Sequence, residues 1–344
     1  MAVMWGLLLD GSKRRLSRAL PGKSWFKHII KPQKQQMYNF GFPKEAAPPF
    51  FPEGVTERMV RDAYAFSVAV GVQHLICALP MLPVVLYGWG DVSSMWRVAF
   101  VMGTLSDVGY DIYDMVDCTF RTWAPHHAHA FGKTPVPVLP WVMVCMLHHP
   151  LAMTIVIPMN LYYPDVKEYH QVCLSLLTSA GLCVSAGAYK FSLDLGSKAG
   201  FYQFKLIVLF QLLLITYTRV FLWFPAAFRL LAHFHAAGDY AFFTLGLTLA
   251  VMMTLFNMAM LFDSISAAGK WLPRSLPTAQ EEQEELIMDS ALSIPASPLP
   301  PAVPSMMASL VAADLKQRKF RSAVKSVIAN NRAKNLKVIR NLND

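Results

Sequence analysis

Runs of about 20 apolar residues recur along the middle of the chain, and they constrain its fold more than any other feature. A helix needs about 20 such residues to cross roughly 30 Å of hydrocarbon. Six runs are long enough, at approximately 66–89, 96–119, 137–158, 169–190, 202–224 and 239–263. The sequence therefore predicts an all-α polytopic membrane protein, a bundle of about six transmembrane helices that are joined by short loops and enclose a lipid pocket.

Most of the charge lies outside these runs. Only 15% of the 344 residues are charged, against roughly a quarter in an average soluble domain. Residues 1–45 and 306–344 each have a net charge of +7, whereas residues 46–271 are close to neutral. We divide the chain into a basic N-terminal cytosolic segment (1–60), a six-helix membrane domain (61–270), a disordered acidic and proline-rich linker (271–305) and a basic amphipathic helix (306–344).

Both chain ends are expected in the cytosol, because six crossings put them on one side and positive charge favours that side. The first 20 residues predict a short helix on the membrane surface, with a transit peptide as the alternative and no cleaved secretory signal. Both basic tails are expected to bind the anionic leaflet. RNA or calmodulin binding is the alternative for the C-terminal helix, and nucleic acid is not the expected partner.

The second apolar run contains four acids, Asp107, Asp111, Asp114 and Asp117. At 100° per residue the first three fall within about a 60° arc of a helix, and the fourth lies a further 60° around it. An aspartate at the bilayer centre costs roughly 2.5–3.5 kcal/mol, so this face is expected to point into a protein interior or a water-filled cavity. The alternatives are a shifted helix register and structural ion pairs with Arg97, Arg121 or Arg219.

The third run contains two adjacent histidines, His148 and His149, followed directly by Pro150. Proline lacks an N–H and clashes with the carbonyl four residues earlier, which predicts a bent helix with an open carbonyl beside the pair. Imidazole exchanges protons near neutrality and can act as a nucleophile, and a carboxylate from Asp111 or Asp114 would fix its tautomer. The alternative is a purely structural hydrogen bond between helices.

The remaining runs contain fewer polar residues. Small residues such as Ser179 and Gly181 predict close helix packing in the fourth run. Arg219 in the fifth run is expected to reach the membrane surface or to pair with an acid of the second run, and Asn257 lies deep in the sixth. The five cysteines form no CxxC pair and are expected to be buried thiols. The histidine groups do not fit the pattern of diiron lipid desaturases, so no metal is expected.

Four short motifs, in their order along the chain, resemble the TLC-domain family, which includes the ceramide synthases. They are YDIYDMVD, LHHP, RVFLWFPAAFR and LFNMAMLFDSI, within about residues 60–270. The resemblance implies an endoplasmic reticulum membrane protein with a pocket for long acyl chains. In ceramide synthases a histidine pair and nearby aspartates transfer an acyl group from acyl-CoA to a sphingoid base. Their His-Asp-x-x-Asp signature has no counterpart in SLLTSAGLCVSAGAYKF, so the chain resembles members that are not synthases.

The candidate site residues form two sets, and the resemblance gives the first of them by position. The candidate catalytic residues are His148 and His149, as nucleophile and base, with Asp111 and Asp114 as supports. The candidate ligand-binding residues are Asp107, Tyr110, Arg219 and Asn257. We expect a protein that binds or handles long-chain acyl lipids, in sensing, transport or membrane lipid homeostasis, with membrane lipids as partners and no cofactor. The alternatives are an acyltransferase that uses acyl-CoA and a proton-coupled carrier, because His and Asp chains form proton relays.

Overall fold

The computed structural model describes residues 1–47, 51, 54–131 and 133–276. These residues belong to one unit, Met1–Pro277. Within them the chain forms helices, and the β-structure consists of an isolated bridge between Ala47 and Phe51. The predicted all-α class is therefore confirmed. The predicted C-terminal amphipathic helix, and the linker beyond residue 276, lie outside the described residues.

Twelve α-helices make up the described part of the chain. They are α1 (Ala2–Ala19), α2 (Phe26–Asn39), α3 (Glu57–Ala78), α4 (Leu82–Tyr87), α5 (Ser94–Trp123), α6 (Pro125–Ala130), α7 (Val138–Trp141), α8 (His149–Tyr162), α9 (Lys167–Phe191), α10 (Lys198–Thr216), α11 (Trp223–Ala236) and α12 (Tyr240–Trp271). Two 3₁₀ turns, Leu20–Gly22 and Leu79–Met81, follow α1 and α3. Two π-helical segments, Val142–His148 and Tyr217–Leu222, join α7 to α8 and α10 to α11.

Five continuous helical stretches are long and apolar enough to cross a membrane. They are Glu57–Tyr87, Val138–Tyr162, Lys167–Phe191, Lys198–Ala236 and Tyr240–Trp271. They match five of the six predicted runs and identify an integral membrane protein. The other predicted run, 96–119, forms α5 as a single helix of 30 residues. Because α5 contains four aspartates and two arginines, it does not belong to this apolar set, and its crossing stays a prediction.

The ends of the long helices are fixed by capping residues and glycine turns. Thr56, Ser197 and Asp239 each accept a hydrogen bond from the backbone N–H three residues ahead, which satisfies a donor that a helix start leaves unpaired. Gly88 and Gly238 have φ values of 93° and 70° in the turns after α4 and α11, a conformation that glycine adopts without a steric cost. The resulting connections are short, as the sequence predicted.

Helices α3 and α9 approach each other closely through glycine. A Cβ atom on Gly71 would lie 3.1 Å from the backbone nitrogen of Ser185, and one on Gly181 would lie 3.0 Å from the backbone oxygen of Gly71. Both separations are tighter than ordinary side-chain packing allows, so larger residues would push the helices apart. The close packing predicted for the fourth run is therefore confirmed.

Helix α1 packs against α3 and α5. The indole N–H of Trp5 donates to Ser106 Oγ at 2.8 Å, and the hydroxyl of Tyr113 donates to Asp10 at 3.0 Å. The first residues of the chain lie against Gly109, midway along α5. The surface-helix hypothesis did not include these contacts, which set the apolar half of α1 beside the middle of a long helix.

Candidate functional site

The acidic residues of α5 separate into two groups with different partners. Asp111 and Asp114 are buried in the bundle, where both face α8. Asp117, one turn further on, accepts a hydrogen bond from Arg121 at 3.3 Å and contacts the ammonium group of Lys133. The structural ion-pair alternative therefore holds for Asp117, whereas the interior acids meet histidine.

His149 lies between two carboxylates of α5. Its Nε2 is 3.0 Å from Asp114 Oδ2, within hydrogen-bond distance, and its Nδ1 is 2.5 Å from Asp111 Oδ1, a close polar contact without hydrogen-bond alignment. The ring is 3% exposed, and Tyr110 meets it edge-on with ring centres 5.7 Å apart. We name Asp111, His149 and Asp114 the Asp–His–Asp cluster. The sequence predicted contacts between these α5 carboxylates and the histidine pair, and the structure shows them for His149.

His148 points away from this cluster toward α12. Its ring stacks on Phe256 with a centroid distance of 5.0 Å and an interplanar angle of 24°. Its Nδ1 atom is buried and has no hydrogen-bond partner within the described chain. The neighbouring rings of His148 and His149 nevertheless remain 5.3 Å apart. One histidine is therefore fixed by carboxylates, and the other keeps an unsatisfied ring nitrogen.

A π-helical segment sets the direction of the two histidines. Val142–His148 is π-helical, and the backbone N–H of His149 donates to the carbonyl of Val144, five residues earlier. Pro150 follows at the start of α8 and has no N–H to donate. The sequence predicted a bend here from the proline. It did not predict a widened turn, a feature that is frequent at functional sites.

Two further polar residues of α3 join the cluster region, and sequence reasoning missed both. Gln73 is 1% exposed and donates to Asp107 Oδ1 at 3.1 Å. His74 lies 3.6 Å from the same oxygen, and its ring meets Tyr110 edge-on at 5.6 Å. The available signal was the adjacent polar pair Gln73–His74 inside the first apolar run.

Arg219 and Asn257 form a separate buried pair. Arg219 Nη1 donates to Asn257 Oδ1 at 3.2 Å, and both residues are buried. Arg219 lies in the second π-helical segment, at 6% exposure. It therefore neither reaches the membrane surface nor bonds an α5 acid, so both expectations for it were wrong.

A cavity of about 800 Å³ opens beside the Asp–His–Asp cluster. Asp114 belongs to both, since it lines the cavity and bonds His149. Apolar side chains of Met59, Phe66 and Val144 form part of its wall. Its basic lining residues are Lys13, Arg14, Arg18, Arg58, Arg61, Arg121 and Lys133. The cavity thus connects a basic surface with Asp114, the carboxyl group that bonds the buried imidazole.

All five cysteines are free, four of them buried and Cys183 half-buried, as the sequence predicted. Within residues 1–47, 51, 54–131 and 133–276, no group of three or more His, Cys, Asp or Glu side chains is arranged to hold a metal ion.

In comparisons with known proteins, no family model, curated protein or solved structure matches this chain.

Proposed function

We propose that this membrane protein binds a long-chain acyl lipid whose polar end lies beside the Asp–His–Asp cluster. One observation carries the proposal: Asp114 lines the 800 Å³ cavity and bonds His149 at 3.0 Å. Burying an imidazole between two carboxylates costs desolvation energy that apolar packing alone would avoid. Ionisable groups inside membrane bundles accordingly mark ligand pathways or sites.

The proposal includes α5 as a sixth membrane crossing. Its exposed apolar residues include Val98, Met102, Ile112 and Val116, and at 100° per residue they occupy the face opposite Asp107, Asp111 and Asp114. From Val98 to Val116 the helix rises about 27 Å, close to the roughly 30 Å of a hydrocarbon core. A helix with lipid on one face and the acids on the other explains why its overall composition is too polar for a simple span.

Membership of the TLC-domain-like proteins of the endoplasmic reticulum belongs to the same proposal. Residues from its four motifs contact one another in pairs. Asp111 and Asp114 of the first motif hold His149 of the second. Arg219 of the third motif bonds Asn257 of the fourth. Residues far apart in sequence are thus in contact within each pair, and these contacts support the proposal.

The test is lipid retention by the purified protein. Mass spectrometry of protein extracted in mild detergent is expected to find an acyl lipid in defined stoichiometry. Ala63→Trp places a bulky ring on the cavity wall and is expected to lower retained lipid severalfold. Ala241→Trp, on the exposed surface of α12, is the matched control. A lipid-free wild-type protein, or equal lipid in both variants, would contradict lipid binding in this cavity.

A second candidate is acyl transfer from an acyl thioester, and one observation favours it. The buried Nδ1 of His148 has no partner among the described residues, whereas both nitrogens of His149 face carboxylates. A ring nitrogen of His148 would form a bond to the acyl carbonyl carbon while the carbon–sulfur bond breaks, and the proton of the other ring nitrogen would pass to the departing thiolate. An amine or hydroxyl acceptor would then form a bond to the same carbon and release the imidazole, with its own proton returning to the ring. His148 would then be the nucleophile, with the ring of His149 beside it.

Incubation with radiolabelled acyl-CoA tests this candidate. Wild-type protein and His233→Ala, an exposed control, are expected to become labelled, and His148→Ala is expected to lose the label. Labelling that survives His148→Ala would contradict the assigned nucleophile. An unlabelled wild-type protein that still retains lipid would leave lipid binding as the function.

A further inference from the structure

The lining of the cavity is strongly basic. Seven lysine and arginine side chains line it, against three acids, Asp10, Asp62 and Asp114. These acids already have partners: Asp10 contacts Lys13 and Lys133, Asp62 accepts a hydrogen bond from Ser17, and Asp114 bonds His149. The excess positive charge of the lining is therefore not neutralised by the acids of the cavity wall.

Two arginines of α1 are the clearest source of this excess. Arg14 and Arg18 are four residues apart, so they project from one face of the helix. Both are exposed and line the cavity, and neither has an acidic partner within the described part of the chain. Guanidinium groups bind phosphate through paired N–H donors, which makes such a pair suited to that anion.

The same face of α1 changes from apolar to basic along its length. Val3 and Leu7 are 78% and 73% exposed, and at 100° per residue they share about a 60° arc with Arg14 and Arg18. Arg14 lies about 10 Å further along the axis than Leu7. With α5 as a membrane crossing, as proposed above, the first residues of the chain pack midway along it, and this spacing places the apolar side chains at hydrocarbon depth and the arginines at the depth of lipid headgroups.

We propose that the cavity binds the phosphate group of an anionic membrane phospholipid through Arg14 and Arg18, the exposed arginines of its lining. This inference rests on the proposed lipid-binding function and names the headgroup chemistry of its ligand. The apolar part of α1 contacts the acyl chain, and the cavity leads from the phosphate toward Asp114. A phosphomonoester headgroup, with more negative charge and no attached cation, is preferred over phosphatidylcholine.

Native mass spectrometry of the full chain in detergent tests this inference, with phosphatidic acid and phosphatidylcholine of identical acyl chains as probes. Wild-type protein is expected to bind phosphatidic acid more tightly. Arg14→Gln/Arg18→Gln is expected to weaken that binding by about tenfold, from lost charge-assisted hydrogen bonds, with little effect on phosphatidylcholine. The control Arg15→Gln/Lys23→Gln removes the same charge from exposed positions outside the cavity lining and is expected to change affinity by less than about twofold.

Equal weakening in both double variants would overturn the site, because general surface charge would then explain the preference. Binding of inorganic phosphate is the second measurement. If the double variant Arg14→Gln/Arg18→Gln loses phosphate binding but keeps the affinity for phosphatidic acid, the lipid assignment is wrong. Lipid that co-purifies and is excluded by Ala63→Trp, but shows no headgroup preference, would defeat this inference and leave the proposed function intact.

Discussion

The imidazole of His149 contacts two carboxyl groups and is 3% exposed. Such a buried cluster is stable only while all of its partners are present. If one partner is removed, the charge that remains is buried without an opposite charge to compensate for its lost solvation. Asp111 and Asp114 lie on adjacent turns of α5 and would repel each other without the ring between them. The cluster therefore contributes to stability as well as to the proposed lipid site.

His149→Ala is expected to lower the free energy of unfolding by about 3–5 kcal/mol, the usual effect of removing one member of a buried charged group. Thermal unfolding in detergent measures the change, and His233→Ala, outside the cluster, is expected to shift stability by less than about 0.5 kcal/mol. Adding Asp114→Asn to His149→Ala should cost less than the sum of the two single changes, since they share a contact. Strict additivity would show that the two side chains are not coupled.

Asp10 gives a pH-dependent prediction outside the membrane-spanning segments. Partial burial disfavours its charged form, but attraction from Lys13 and Lys133 and the hydrogen bond from Tyr113 outweigh burial, so the pKa of the carboxyl is lowered from its usual 3.8. A lowered pKa means that the folded state binds fewer protons. Its stabilising contribution is then complete above the unfolded pKa and is lost as pH falls through the folded pKa.

Asp10→Asn is therefore expected to lower the melting temperature at neutral pH, and the difference from wild type should be constant above about pH 5 and shrink below about pH 4. Unfolding curves collected across this range measure it. A difference in melting temperature that grows toward acid pH would contradict the lowered pKa of Asp10. Arg15→Gln, also on α1 but without a described acidic partner, should give a difference that does not depend on pH in this window.

The contact between α3 and α9 depends on a missing side chain at Gly181. Alanine there would bring its Cβ to 2.7 Å from Leu75 Cγ and 3.0 Å from the backbone oxygen of Gly71. Overpacking of this kind costs about 1–3 kcal/mol, which exceeds the roughly 1 kcal/mol that alanine gains over glycine inside a helix. Gly181→Ala is expected to lower the melting temperature.

Gly187 on the same helix is the matched control, because its nearest neighbour would be 3.6 Å from the new Cβ, an ordinary contact. Gly187→Ala should therefore keep the gain in helix propensity and raise the melting temperature slightly. Thermal unfolding of the two variants side by side is expected to give shifts in melting temperature of opposite sign. A rise in melting temperature for both would mean that helix propensity, rather than the close approach, governs this interface, and a fall for Gly187→Ala would contradict its use as an unhindered position.

Helix periodicity explains which parts of the site the sequence predicted. Asp111 and Asp114 repeat at helical spacing, so their common face and their meeting with His149 followed from 100° per residue. The π-helical turns at His148 and Arg219 leave no periodic pattern, and Arg219 was misplaced for that reason. His74 was missed because a polar pair in a long apolar run has no spacing that sets it apart. Tertiary contacts, rather than local pattern, decide these positions.

The N-terminal helix shows a similar limit at the scale of an element. Its apolar start and basic end predict membrane contact, and both features are present in α1. The hydrogen bonds of Trp5 with Ser106 and of Asp10 with Tyr113, however, join residues about a hundred positions apart. Amphipathic pattern fixes which face is apolar, but it does not identify the helix against which that face packs.

The described membrane unit has two ends with different connections. At one end Ser17 bonds Asp62 at 2.8 Å and Lys205 donates to the backbone oxygen of Arg274 at 3.0 Å. At the other end the hydroxyl of Tyr163 donates to Asp239 at 2.7 Å. If α5 crosses the membrane, the turn at 88–93 lies with Asp239, and the segment after α5 lies with the basic end.

Impermeant maleimide labelling in sealed membrane vesicles decides whether α5 crosses. Ser93→Cys and His127→Cys put exposed thiols before and after α5, while the native cysteines are buried or half-buried and give low background. With a crossing α5, only one of the two positions is labelled in intact vesicles, and the other reacts after detergent is added. If both react, or both are protected, the two ends of α5 lie on the same side of the membrane. The acid stripe would then face a re-entrant pocket open to one side, and the six-crossing arrangement would be wrong although the Asp–His–Asp contacts remain.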